Sequence, residues 1–190
     1  MKTTWGELIL LAVITAGTVE AVEEMQVDVY TLQNDWSRPS ALAKTRVTGI
    51  FETIAIRVVW HPGTWPTLPG SGRMEIGIRM VERAPAGVPA VVMASAHPFG
   101  ASGRTIVLYQ DRIEHLLKSV PAAANMLLAY VFAHELAHVM QGLDRHAESG
   151  IMSAFWSPSD TADICANRLS FSPADVHLIR DGVAARLASR

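Results

Sequence analysis

Two histidines four residues apart, with a glutamate after the first, constrain this chain more than any other feature of its sequence. They lie in the segment His134-Glu135-Leu136-Ala137-His138. On an α-helix, side chains four residues apart project from the same face, so both imidazoles can bind one zinc ion. Glu135 then lies beside the metal, where a carboxylate can accept a proton from a zinc-bound water. The motif therefore predicts a zinc centre with Glu135 as its general base.

The flanking sequence predicts that this motif lies on a buried helix. Residues 121–140 are rich in good helix formers and begin with a proline, which suits the first turn of a helix. Most of these residues are apolar, so histidines that bound no metal would be costly polar groups in a core. Gly142 follows and can adopt the left-handed conformation that ends a helix. We therefore expect a zinc site here rather than a pair of core histidines.

The order of features around the motif resembles the metzincin zinc proteases, in particular secreted, matrixin-like bacterial members. These features are the two motif histidines, a glycine, a third histidine and a methionine turn. The resemblance implies that His134, His138 and His146 bind zinc and that Glu135 is the general base. It also implies that Met152 forms a hydrophobic turn, the Met-turn, beneath the metal.

The third zinc ligand is the point at which this chain departs from the family pattern. In H-E-x-x-H-x-x-G-x-x-H the glycine and the third histidine stand where this chain has Gln141 and Asp144. A carboxylate can also bind zinc. As the third ligand we favour His146 over Asp144, because the glycine is also displaced along the chain and the turn is displaced with it. Glu148 is the third candidate. Asp144 then becomes a candidate to accept the free ring N–H of a ligand histidine.

The pattern of apolar segments predicts an α+β fold. Residues 41–56 read as a helix that could cover a sheet. Ser172 and Pro173 are typical of a helix start, and the apolar residues that follow recur at helical spacing. The resemblance implies a metzincin-like zincin fold, in which a twisted mixed sheet packs on helices and the active-site helix precedes the Met-turn and a C-terminal helix. Short segments rich in β-branched residues predict strands at 25–32, 57–61, 74–81, 89–96 and 105–109.

The N-terminal segment and the overall composition set the expected location and partners. Residues 1–21 read as a signal peptide, with one lysine, a short apolar run and small residues near a cleavage point. Residues 22–190 then form a single domain, secreted or periplasmic, with no stable membrane association after signal removal. With 16 basic and 18 acidic side chains, the chain shows no nucleic-acid footprint. Cys165 is the single cysteine, so an internal disulfide is excluded. We expect a monomer.

These observations predict a zinc-dependent endopeptidase that acts on peptide or protein substrates. Residues 94–100 resemble the metzincin edge strand, which would bind substrate backbone by strand addition. Residues 154–170 would form a pocket wall with Phe155 and Trp156, and Arg145 could assist the oxyanion if it faces inward. The alternatives are a zincin-fold metal-binding protein without catalysis and a zinc amidase acting on cell-wall peptides.

Overall fold

The computed structural model describes residues 23–32, 38–63, 73–98 and 104–188. The proposed signal peptide, residues 1–21, lies outside the described residues. The described chain has the predicted α+β composition, with one mixed sheet and five helices. In chain order the elements are β1 (Met25–Thr31), α1 (Arg38–Glu52), β2 (Ile56–Pro62), β3 (Met74–Val81), β4 (Ala94–His97), β5 (Thr105–Tyr109), α2 (Gln110–Ser119), α3 (Ala124–Gln141), α4 (Pro158–Cys165) and α5 (Pro173–Ala188).

The sheet has the strand order β2-β1-β3-β5-β4. The first four strands in that order pair in parallel, and β4 runs antiparallel to β5 at one edge. Parallel neighbours need a crossover connection, which α1 supplies between β1 and β2. Among the described strands, β4 pairs with β5 alone, and its other side faces the site described below.

The core lies between one face of the sheet and the helices. Alternate residues of the central strands, such as Val27 and Val29 in β1 and Ile76 and Ile78 in β3, are fully buried in it. The helix α3 is apolar on almost every side and packs against α1, α5 and β4. It is therefore held from several directions, which suits a helix that must present side chains accurately.

The end of α3 follows the prediction closely. Its C-cap residue is Gly142, with φ at 68°, in the left-handed region. The Gly142 N–H donates to the carbonyls of His138 and Val139, at 3.0 and 3.2 Å. The chain thus leaves the helix one residue after Gln141 and turns back along it. Within the described ranges, no helix is both long and apolar enough to cross a membrane.

The structure corrects three elements of the predicted pattern. The strand expected at 89–96 is confined to Ala94–His97, because the preceding chain forms turns in which Val88 and Val92 donate to the carbonyls of Pro85 and Pro89. Prolines lack the N–H that a strand ladder requires. The helices α2 and α4 were not predicted. A signal for α4 was present, since Ser157 and Asp160 form a capping box at its start.

Candidate metal centre

The structure brings three of the histidines into one group. His134 and His138 lie one turn apart on α3, and His146 comes from the segment after the helix. Their ring centroids are separated by 4.7, 5.2 and 4.9 Å, which is nearly an equilateral triangle. One nitrogen from each ring lies within 4.8 Å of the others, so the group can hold a metal ion. Among the described residues, Asp144 and Glu148 do not join this group.

Two of the rings are oriented by backbone carbonyls. His134 donates from Nδ1 to the carbonyl of Ile151, at 2.8 Å, and His138 donates from Nδ1 to the carbonyl of Leu143, at 3.1 Å. A carbonyl only accepts, so Nδ1 carries the proton and Nε2 keeps its lone pair. The two Nε2 atoms are 3.0 Å apart. Two ligands of a tetrahedral zinc lie about 3.3 Å apart at bond lengths of about 2.0–2.1 Å, so this spacing is close to that of a bound pair.

The carbonyls replace the partner that the sequence suggested. Asp144 was expected to accept the free ring N–H of a ligand histidine, and the structure shows that Leu143 and Ile151 accept it from His138 and His134. The Asp144 side chain is exposed at the rim of the site. The expectation failed because backbone acceptors leave no mark in a sequence.

Burial keeps the two helical histidines neutral. Removal from water lowers the pKa of His134 to about 4, an effect that the hydrogen bond to Ile151 only partly opposes. Burial also lowers the pKa of His138 below its usual value, and the hydrogen bond to Leu143 opposes this shift. The neutral imidazole is the form that binds a metal, so these shifts favour ligation over protonation.

The chain passes back beneath the histidines in a tight turn at Gly150, Ile151 and Met152. Gly150 has φ at 80°, and a Cβ there would lie 2.6 Å from the carbonyl oxygen of Ser170, so only glycine fits. The Ile151 N–H donates to that same carbonyl, at 3.0 Å, while the Ile151 carbonyl accepts from His134. The Met152 side chain is fully buried. The turn therefore contacts the site through the Ile151 carbonyl, and the role of Met152 as a Met-turn stays a prediction.

Glu135 is buried beside the histidines. Its carboxylate accepts a hydrogen bond from the backbone N–H of Ala96 in β4. Burial raises the pKa of Glu135 to about 7, the Ala96 bond opposes the shift, and the negative charge of Asp144 adds to it. This carboxyl group can therefore both gain and release a proton near neutral pH, which a general base requires.

A cleft of about 660 Å³ opens onto these residues. The strand β4 and the turns before it form one wall, and residues 153–156 form another. Val91 and Phe155 are among the most exposed apolar side chains in the described chain, at 68% and 78%, and both line this cleft. Among the described residues, no lysine or arginine lines it. The cleft thus offers apolar and acidic surface around the histidine group.

Trp156 closes one side of the histidine group. Its ring meets that of His134 edge-on, with centroids 6.1 Å apart, and meets Tyr130 in a similar geometry at 6.4 Å. The Tyr130 hydroxyl donates to the carbonyl of Leu169, at 3.1 Å. Of the two aromatic residues predicted to line the pocket wall, Phe155 is exposed and Trp156 is packed against the site.

Arg145 does not serve the cleft as the sequence suggested. Its guanidinium Nη1 donates to Oδ1 of Asp175 in α5, at 2.9 Å, instead of turning inward as oxyanion support. The Asp175 side chain is fully buried. Local sequence patterns do not reveal this pair, because Asp175 lies 30 positions after Arg145.

Comparison with known proteins finds similarity at the level of structure. No model of a protein family matches this chain. No curated protein matches it either. A crystal structure of archaemetzincin from Methanopyrus kandleri is similar, with a TM-score of 0.54 and 16% identity, and the match covers 87% of this chain and 99% of that one. A crystal structure of a zinc-dependent peptidase from Methanocorpusculum labreanum is also similar, with a TM-score of 0.53 and 11% identity. That match covers 80% of this chain and 99% of the other. The chain therefore shares the fold of these two proteins.

Proposed function

We propose that this protein is a zinc-dependent endopeptidase. The observation that carries the proposal is the convergence of three imidazoles beside a buried carboxylate in an open cleft. Neutral imidazoles suit zinc, and a catalytic zinc takes three protein ligands and keeps a fourth position open. The similar structure described as a zinc-dependent peptidase supports this choice of metal and reaction. In the proposal, His134, His138 and His146 hold the ion.

Glu135 acts as the general base in this proposal. When bound, zinc supplies Lewis acidity that lowers the pKa of a water and polarises the scissile carbonyl. Glu135 accepts a proton as the water attacks, and it returns the proton to the leaving amine. The Ala96 N–H holds the carboxylate in place between the strand and the helix. Its hydrogen bond therefore aligns the base before substrate arrives.

The free side of β4 is the proposed site for the substrate backbone. Tyr109 N–H donates to the Met93 carbonyl, at 2.9 Å, and the register pairs Ala94 with Leu108. In an antiparallel pair such bonds alternate, so the backbone groups of Ala94 and Ala96 point away from β5. The Ala96 N–H is already donated to Glu135, so the groups left for a peptide to pair with by strand addition are those of Ala94 and the Ala96 carbonyl. A peptide bound as an extended strand continues past the metal site in both directions. We therefore propose that the enzyme cleaves bonds inside a peptide and not at its ends.

Two other functions remain distinguishable from this one. Glu135 is a buried carboxylate beside the proposed open metal position. A zincin-fold protein that binds metal without catalysis would gain nothing from such a group. A zinc amidase acting on cell-wall peptides would use the same groups, so the substrate profile separates it from a general peptidase.

Export to the periplasm or medium is also part of the proposal and rests on residues 1–21. N-terminal sequencing of the exported protein tests it.

The deciding experiment compares metal content and peptidase activity in three proteins: wild type, Glu135→Ala and Glu148→Ala. Glu148 is an exposed carboxylate close in sequence and is the matched control. We expect about one zinc per chain in all three. Glu135→Ala should lose peptidase activity by about 10²-fold or more, the usual scale for a general base. Chelation should abolish wild-type activity, and zinc should restore it.

Several outcomes would contradict the proposal. Wild-type protein that binds no zinc, or that cleaves no member of a peptide library when loaded, would refute a zinc peptidase. Loss of zinc together with activity in Glu135→Ala would make the glutamate a structural group. Full activity in that variant would remove its role as the base.

A further inference from the structure

The third imidazole is held differently from the other two. His134 and His138 each donate from Nδ1 to a backbone carbonyl, which fixes the ring. The His146 side chain is exposed, and within the described part of the chain it contacts the other two rings without making a hydrogen bond. A ligand histidine is normally oriented by a hydrogen bond from its second nitrogen. The position of His146 must therefore be set through its backbone.

The residues on both sides of His146 are anchored. After it, the Ala147 N–H donates to the Met152 carbonyl, at 2.8 Å, which ties the segment to the turn beneath the site. Before it, the Arg145 side chain bonds to Asp175, at 2.9 Å. These two anchors bracket His146, and the Arg145 anchor alone comes from a distant element.

Asp175 is a rigid point of attachment. It lies in the first turn of α5, where its Oδ2 accepts a hydrogen bond from the Ser172 hydroxyl, at 2.6 Å. The backbone N–H of Asp175 in turn donates to the Ser172 hydroxyl oxygen, at 3.2 Å. The helix itself is docked on the end of α3, where Arg186 donates to the Met140 carbonyl at 2.9 Å. The same helix therefore fixes both the end of α3 and the segment that carries His146.

We propose that the Arg145–Asp175 ion pair positions His146 and thereby sets the affinity of the site for its metal. This inference rests on the proposed zinc site and deepens it. Arg145 is a positioning residue, because it acts on His146 through the chain and touches neither metal nor substrate. The guanidinium is planar and offers several donors, so it can hold a buried carboxylate in one orientation.

The test is a double-mutant cycle on zinc affinity, measured by competition with a chromophoric chelator. Arg145→Met is made in wild type and in His146→Ala. Because Arg145→Met leaves a buried carboxylate unpaired and can impair folding, Arg145→Met/Asp175→Asn, which removes both charges, is made in the same two backgrounds. Arg168→Met breaks an exposed pair with Asp163 and is the matched control. The absorption spectrum of the cobalt-substituted protein reports the coordination geometry directly.

We expect both the single and the charge-free variant to weaken zinc binding by about 10–100-fold, the range for a group that orients a ligand. They should also change the cobalt spectrum, whereas Arg168→Met should change neither. In the His146→Ala background, loss of the pair should cost no further affinity. An unchanged affinity in the charge-free variant, or an equal loss in both backgrounds, would overturn the inference. Wild-type protein that binds no zinc would instead refute the proposed function.

Discussion

Replacing Gly182 with alanine should destabilise the protein, although alanine is the better helix former. A Cβ at position 182 of α5 would overlap the carbonyl oxygen of Met140 and lie 3.0 Å from both Cα and the carbonyl oxygen of Gln141. These are backbone atoms of α3, so no side-chain rotation relieves the overlap and the two helices must separate. Overpacking of this kind costs about 1–3 kcal/mol, and backbone contact favours the upper end. The intrinsic gain from alanine is about 1 kcal/mol.

The net effect is therefore a loss of about 2 kcal/mol in the free energy of unfolding, or about 4–8 °C in Tm for a chain of this size. Gly49 in α1 is the matched control, because a Cβ there meets nothing within 4 Å. Gly49→Ala should raise Tm by about 2–4 °C. Both variants are compared with wild type by thermal and urea unfolding in excess chelator, since bound metal would add its own stabilisation. Stabilisation by both substitutions would refute the close packing of α5 on α3.

The remaining predictions concern the ligands. His134→Ala and His138→Ala should each strip zinc from the isolated protein, because each removes one of the two Nε2 atoms that lie 3.0 Å apart. Metal analysis of the double variant checks this. Stoichiometric zinc in the double variant would disprove the site. His146→Ala should lower zinc affinity severely, whereas Asp144→Asn should cost at most about 10-fold, since Asp144 stands outside the histidine group. The reverse order of these two affinities, measured by chelator competition, would make Asp144 the third ligand.

The elements that the sequence predicts well are those with a strong local signal. The helix α3 combines a long apolar run with a glycine that must end it, and β3 alternates apolar and other residues over the eight positions that the structure assigns to it. The helix α5 begins where Ser172 and Pro173 indicate. In each case the interactions that define the element are made by neighbours in the chain, so the pattern is visible without the fold.

The parts that were missed depend on contacts between distant residues or on the backbone alone. Residues 89–93 have the apolar composition of a strand, but the chain around Pro85 and Pro89 forms turns before β4 begins. The ring of His138 is oriented by the Leu143 carbonyl, which no side-chain pattern encodes. Arg145 was expected to assist the oxyanion only if it faced inward, and its partner, Asp175, becomes its neighbour only when α5 packs against α3.

The position of the three imidazoles along the chain has a consequence for how the protein matures. All three come from residues 134–146, so bringing them together closes only a short loop, and the entropy lost in closing a loop grows with its length. The cleft wall formed by β4 comes from residues 94–97 and needs the assembled sheet. If the three histidines bind zinc as proposed, a nascent or partly unfolded chain can make a first, weaker contact with the ion through this local segment before the cleft is assembled. In the proposed enzyme, loading with metal and acquiring the ability to cleave peptides would then be separable events, in that order.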